Sequence, residues 1–215
     1  MATTTSENGS EAAVLEIDRI VEERLTVPIV GTSPLIMHRF SEKARLAMLH
    51  AAQGKRVPKT PKDPQSEYES AAYRFADGKR YGMPADAFKQ ATVAASRFYG
   101  KDVTQVLLRQ SLFIVGEAGD DGRALIEIQG ADPIMREDVV RVGRGGTDLR
   151  YRPLFFPWHA TLEVVYFPGV LTRQSVLSLI DAGGLAVGVG EWRPERDGTF
   201  GTYRVSQDDD IEVLS

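Results

Sequence analysis

The sequence predicts an α+β fold whose core runs strand, helix, strand, strand, helix, strand. Three observations carry this. First, PWHATLEVVYF, Pro157 to Phe167, sets Ala160, Leu162 and Val164 on one side and Thr161, Glu163 and Val165 on the other, the period of a half-buried strand. Second, PADAFKQATVAASRFYG begins on Pro84, ends just before Gly100, and places Phe88, Ala91, Ala95 and Phe98 at helical spacing. Third, LTRQSVLSLID, Leu171 to Asp181, reads as a second helix capped by Thr172. It is followed by a glycine-rich loop that closes in a strand near Thr202 to Ser206.

With 215 residues the chain has room for one domain carrying a large insertion. It contains no cysteine, which excludes disulfides and thiolate chemistry. No apolar run is long enough to span a membrane, and no signal peptide is recognisable, so a cytoplasmic protein is expected. The formal net charge is −4, which argues against a uniformly basic binder of nucleic acid but leaves room for a local basic groove. Acids gather near Glu16 to Glu23 and Asp208 to Glu212, and the arginines lie between.

Taken in order, residues 1–23 read as a polar tail or arm. RLTVPIVG, Arg24 to Gly31, is a strand, and Pro28 predicts an edge or a bulge. Thr32 to Pro34 form a turn, and Leu35 to Met37 are expected to be buried. Residues 41–80 form the predicted insertion. Within it Ser41 and Glu42 open a helix closed by Gly54, Lys55 to Asp63 is a solvated basic loop, and a second helix runs through Tyr68, Ala72 and Phe75. Asp77-Gly78 is a turn. Val103 to Glu117 and Arg123 to Gln129 read as two strands joined through Gly119 to Gly122. An excursion spans 131–156, and its latter part, Arg141 to Arg152, is the most basic stretch of the chain, with Arg141, Arg144, Arg150 and Arg152 against Asp148 alone. The helix from Leu171 is expected to end at Gly183-Gly184. Residues 207–215 are an acidic end. Without insertion and excursion the order is β-α-β-β-α-β, the ferredoxin-like (RRM-like) unit that RNA-recognition domains also use.

The stretch from Gly183 to Val205 holds six glycines, with Trp192, Arg193, Arg196, Phe200 and Tyr203 among them. Glycine admits close backbone approach, arginine suits phosphate, and aromatic faces stack on bases. The plainer reading is a hairpin loop whose Trp192 and Phe200 fold back on the core.

Two pieces resemble the RAMP superfamily of CRISPR repeat-associated proteins. MPADAFKQATVAASR looks like that superfamily's proline-to-lysine helix start, with Pro84, Phe88 and Lys89 in matching places and Ala85, Asp86 and Gln90 departing from the usual small residues. GVGEWRPERDGTFGTYRV is similar to its C-terminal glycine-rich loop and strand. The layout is most similar to the backbone subunits that line CRISPR RNA. RYRPLFFPWHA together with the glycine loop also resembles small proteins of tailed-phage genomes, which would place the chain in a bacterial host cytoplasm. The resemblance implies a non-catalytic binder of single-stranded DNA or RNA that assembles along its ligand as a homo-oligomer or filament. It also implies that Lys89, Arg97, Arg141, Arg144, Arg150, Arg152, Arg193 and Arg196 face the strand. Tyr151 or Trp192 would stack on a base, and Gly188, Gly190, Gly198 and Gly201 would bring backbone N–H groups toward phosphate.

Chemistry is sparse. His38, His50 and His159 are the only histidines, and no metal-ligand spacing, Walker loop, nucleophile elbow or dinucleotide fingerprint is present. No cofactor and no metal are expected. The runner-up reading is a RAMP-type RNA endonuclease using His38, which falls where some members carry a catalytic histidine. The loop GTSPLIMHRF lacks the aspartate with which other members cut. A third reading is a structural protein that self-assembles without nucleic acid.

Overall fold

The computed structural model describes residues 17–40, 42–55, 61–142 and 146–207. Most of the predicted tail, the acidic end from 208 onward, and Arg144 lie outside them. In chain order the elements are β1 (Glu23–Gly31), β2 (Leu35–Ile36), α1 (Glu42–Ala52), α2 (Pro64–Ser70), β3 (Gly82–Pro84), α3 (Ala85–Ala94), α4 (Gln105–Ser111) and β4 (Leu112–Val115). Then follow β5 (Glu117–Ala118), β6 (Ala124–Glu127), β7 (Gln129–Gly130), β8 (Ile134–Val142), β9 (Gly146–Phe155), β10 (Trp158–Tyr166), α5 (Arg173–Ala186) and β11 (Tyr203–Val205).

The fold is α+β with antiparallel sheets. The main sheet has the order β11-β1-β10-β4, with β7 also pairing β10. Two smaller sheets have the orders β2-β9-β8 and β3-β6-β5. Along β10 the alternation is realised: Ala160, Leu162 and Val164 are buried, while Thr161 and Glu163 are exposed. The buried side joins Phe88 and Ala91 of α3 and Val176, Leu179 and Ile180 of α5 in one core. Apolar burial of this kind is the main favourable term in folding.

Pro28 sits inside the sheet, since β1 pairs with both β10 and β11. A strand residue points its N–H and C=O to the same side, and the Pro28 carbonyl accepts from the Ser206 N–H at 2.8 Å. The missing donor therefore faces Ser206, just past the end of β11, so only the reciprocal bond to the Ser206 carbonyl is forgone. Residues 103–117 are not one strand. Thr104 Oγ1 accepts from the Leu107 N–H at 3.2 Å and caps α4, and the extended part is split into Leu112–Val115 and, after Gly116, the start of β5 at Glu117. β4 then pairs with β10, and the predicted hairpin turn joins β5 to β6 in a separate sheet. The second insertion helix ends at Ser70, and Phe75 instead bridges to Gly119. Phe98 lies in the 3-10 turn that continues α3 and is 56% exposed.

The largest departure is at Gly183-Gly184, where α5 continues to Ala186. A Cβ on Gly183 would meet the α3 backbone at Ala91 and Thr92 at 2.9 Å, and one on Gly184 would come within 2.1 Å of the Tyr203 carbonyl oxygen. These glycines let α5 touch α3 and β11, and the helix stops at Gly188, in the left-handed region at φ 72°. Gly184→Ala is expected to destabilise the protein by about 1–3 kcal/mol, seen as a lower urea midpoint. Gly169→Ala, with open space around its Cβ, is expected to change stability by less than about 0.5 kcal/mol. Equal midpoints would contradict this packing.

Candidate nucleic-acid interface

The β8–β9 hairpin carries the basic excursion, and its register decides which side chains share a face. Arg136 pairs with Arg152 and Asp138 with Arg150, so strand alternation brings these four to one side. That side meets the glycine loop. Arg152 Nη2 donates to Asp138 Oδ2 at 2.6 Å, and Arg152 Nη1 donates to Glu191 Oε2 at 3.3 Å. Arg136 Nε donates to Asp138 Oδ1 at 2.9 Å, and its guanidinium lies 5.1 Å from the Phe200 ring centroid. His38 Nδ1 reaches Glu191 Oε1 at 3.5 Å. Arg152 is only 1% exposed. A buried guanidinium is tolerable only when paired, and here two carboxylates hold it. The hydrogen bond from His38 holds the Glu191 carboxyl below its usual range against partial burial, with Arg152 and Arg150 adding to the effect.

The loop is stiff. Gly188, Gly190 and Gly201 adopt φ of 72°, 77° and 66°. Val189 N–H donates to Gly201 O, Gly201 N–H to Pro34 O, Glu191 N–H to Ile36 O, Gly198 N–H to Arg193 O and Phe200 N–H to Trp192 O, all at 2.8–3.1 Å. These N–H groups are spent inside the protein, so the loop offers side chains outward in place of the expected N–H cradle. A Cβ on Gly198 would strike the Trp192 carbonyl oxygen at 1.7 Å, so glycine is required for that turn. Trp192 itself has φ 56° and is 47% exposed. A left-handed bulky residue carries strain that the surrounding turn must hold. Trp192 thus stands out to solvent and does not fold back on the core.

The remaining candidates divide by position. Arg150 is half-buried on the loop-facing side of the hairpin, and Arg141 is exposed near its end. Arg196 is exposed and its side chain has no partner among the described residues. Arg193 donates to the Gly190 carbonyl at 3.0 Å and pairs with Glu195 at 2.8 Å. Arg97 donates to the Ala94 carbonyl at 2.9 Å and lies 3.8 Å from Glu195. Lys89 turns to the far edge of the main sheet, donating to the Arg109 carbonyl at 3.1 Å with its ammonium 4.2 Å from the Phe113 ring centroid. Tyr151 lies on the other face of the hairpin, bonded to Glu137. Arg152 is a brace and offers no surface to a ligand.

Sequence reasoning missed Arg136, Asp138 and Glu191. Their signal was the i, i+2 spacing of Arg136 and Asp138, visible once the excursion is read as paired strands. Gly188, Gly190, Arg193 and His38 also line a cleft of about 490 Å³ beneath the loop. Among the described residues no group of three or more His, Asp or Glu side chains is placed to hold a metal ion. No described helix is long and apolar enough to cross a membrane.

No protein-family model matches the chain, and no curated protein matches it. Among solved structures, the crystal structure of Cmr6 from Pyrococcus furiosus aligns with 87% of this chain and 100% of that chain, at 12% identity and a TM-score of 0.41. A likeness of that size assigns neither fold nor function.

Arg152→Ala leaves Asp138 with Arg136 alone and is expected to cost about 1–3 kcal/mol in urea unfolding; a loss below about 0.5 kcal/mol would deny the brace. Acid should act on the same junction. A carboxyl held low when folded contributes stability above its unfolded value of about 4.3 and loses it as pH falls through the folded value. Stability should therefore drop below about pH 4.3, and Glu191→Gln should flatten that part of the profile. Identical profiles would contradict the assignment.

Proposed function

We propose that this protein binds single-stranded nucleic acid, without catalysis, on the surface where the hairpin meets the glycine loop, and that copies assemble along the strand. One observation carries the reading. The Arg152–Glu191 contact joins the two segments that the sequence marks as arginine-bearing and glycine-rich. It sets Arg136 against Phe200 and Arg150 near Glu191, on the loop that also carries Trp192 and Arg196. An exposed indole on the same loop as Arg193 and Arg196 suits a single strand, because bases stack on aromatic faces while phosphates take the cations. The acidic remainder of the molecule does not oppose this, since screening confines the relevant field to about 10 Å.

Two further features support it. An antiparallel main sheet with the order β11-β1-β10-β4 and the helices α3 and α5 between its strands in the chain supports the ferredoxin-like reading of the chain order. The likeness of Pro84, Phe88, Lys89 and the 188–205 stretch to the RAMP superfamily points the same way. In this reading His38 orients Glu191 and takes no part in cleavage, and the fluid-facing arginines leave DNA and RNA both as ligands.

Fluorescence anisotropy with labelled single strands at about 50 and 200 mM salt tests the proposal, since each phosphate contact contributes about −0.7 to the logarithmic salt slope. Arg150→Ala and Arg196→Ala should each lower that slope by about one contact, and Trp192→Ala should weaken binding by about 1–3 kcal/mol. Weak, salt-independent signal would overturn the proposal. Incubation with structured RNA should leave it intact with both the parent and His38→Ala; products that disappear in the variant would favour the endonuclease.

A further inference from the structure

The cleft beneath the glycine loop opens beside the proposed interface and shares Glu191 and Arg193 with it. It lies between the first turns of α3, the start of β6 and residues 187–195. Its floor is apolar, built from Met83, Val187 and Val189, all buried. Its charge is the first clue to what it takes. Arg123 and Arg193 face Asp86, Glu191 and Glu195 across the lining, and both arginines already pair with carboxylates, Arg123 with Asp121 at 3.2 Å. A phosphate would find no surplus positive charge here. A neutral planar group with donors and acceptors on its edge would find an apolar bed and polar partners.

The second clue is Tyr73. Its ring is buried, 8% exposed as a whole residue, and forms part of the cleft wall; its hydroxyl makes no hydrogen bond among the described residues and is not one of the buried unpartnered atoms, so it is open to the cleft. The guanidinium groups of Arg39 and Arg123 lie 5.9 and 5.8 Å from the ring centroid. A hydroxyl on an apolar wall that no protein group engages is free to bond a ligand. Asp86 and Gln90, four residues apart on one face of α3, line the same opening, are exposed, and have side chains without hydrogen bonds among the described residues. A hydroxyl, an amide and a carboxylate offer both donors and acceptors to one edge.

We propose that this cleft is a nucleobase site, filled by one base of the bound strand that leaves the stack and is read by Tyr73, Asp86 and Gln90. The volume falls within the range of small-molecule sites, about 300–1,000 Å³. Removing one base from a flexible single strand costs at most a few kcal/mol, and the strand crossing Trp192 passes the cleft mouth because Glu191 and Arg193 belong to both surfaces. The delivery of the base rests on the proposed interface; the site itself does not.

The test uses the full-length protein with two probes, free nucleosides (adenosine, guanosine, cytidine, uridine) by calorimetry and labelled homopolymeric strands by anisotropy. One nucleoside should bind measurably, and its base should mark the preferred homopolymer. Tyr73→Phe keeps the ring, and Gln90→Ala alters only exposed surface, so both should keep the thermal midpoint. Each should weaken binding of the preferred nucleoside and homopolymer about five-fold, the loss of one hydrogen bond, with the salt slope unchanged. If no nucleoside binds, or both variants bind every probe as the parent does, the site is overturned while salt-dependent strand binding still upholds the interface. If nucleosides bind in a Tyr73- and Gln90-dependent way and strands do not, the site stands and the interface falls.

Discussion

Arg152 is the constraint on which the functional surface depends. A guanidinium enclosed between Asp138 and Glu191 has no low-energy alternative, because separation would leave charges desolvated and unpaired. The pairing joins a two-stranded hairpin, unable to hold itself in water, to a loop that follows the last helix. Glu191 is in turn held by His38 and by its own N–H on the Ile36 carbonyl at 3.0 Å. Three chain segments distant in sequence therefore meet at one carboxylate. Whatever the hairpin arginines and Trp192 do together, they do because this junction fixes their spacing.

The glycine loop shows the same economy. Its glycines are positions where a Cβ would strike a carbonyl, at Gly198 on Trp192 and at Gly201 on Val189. They produce stiffness, with internal hydrogen bonds using most of the N–H groups. Stiffness is what a stacking residue requires, since an indole already held in place loses little entropy when a base arrives. Further back, Gly183 and Gly184 allow α5 to settle on α3 and β11, which sets where the loop begins.

Much of the fold was legible in residue patterns. The alternation of β10 from Ala160 to Val164, the stripe of Phe88, Ala91 and Ala95, and the Thr172 cap appear in the structure where the sequence places them, while Phe98 and Val165 depart from it. What stayed hidden depends on contacts distant in sequence. The glycine pair in α5 looks like a helix stop, because the α3 backbone that needs the space lies about ninety residues earlier. Leu112 to Val115 follow α4 without a break, so the β-rich half of 103–117 masks the Thr104 cap. At the site, the arginine cluster was visible but the fate of each member was not. Charged residues are almost never fully buried unless paired, and Arg152 is the paired exception, while Lys89 is drawn to the opposite edge by the Arg109 carbonyl and Phe113.

The central claim is that the hairpin and the glycine loop present one surface to one strand. Amide hydrogen exchange, followed by mass spectrometry with and without a saturating single strand, measures this most directly. The account predicts slowed exchange over Ile134–Phe155 and over residues 188–201 in the same complex, with the open sheet face around Thr26 and Thr161 unchanged. Protection centred on that sheet face, with hairpin and loop unaffected, would contradict it.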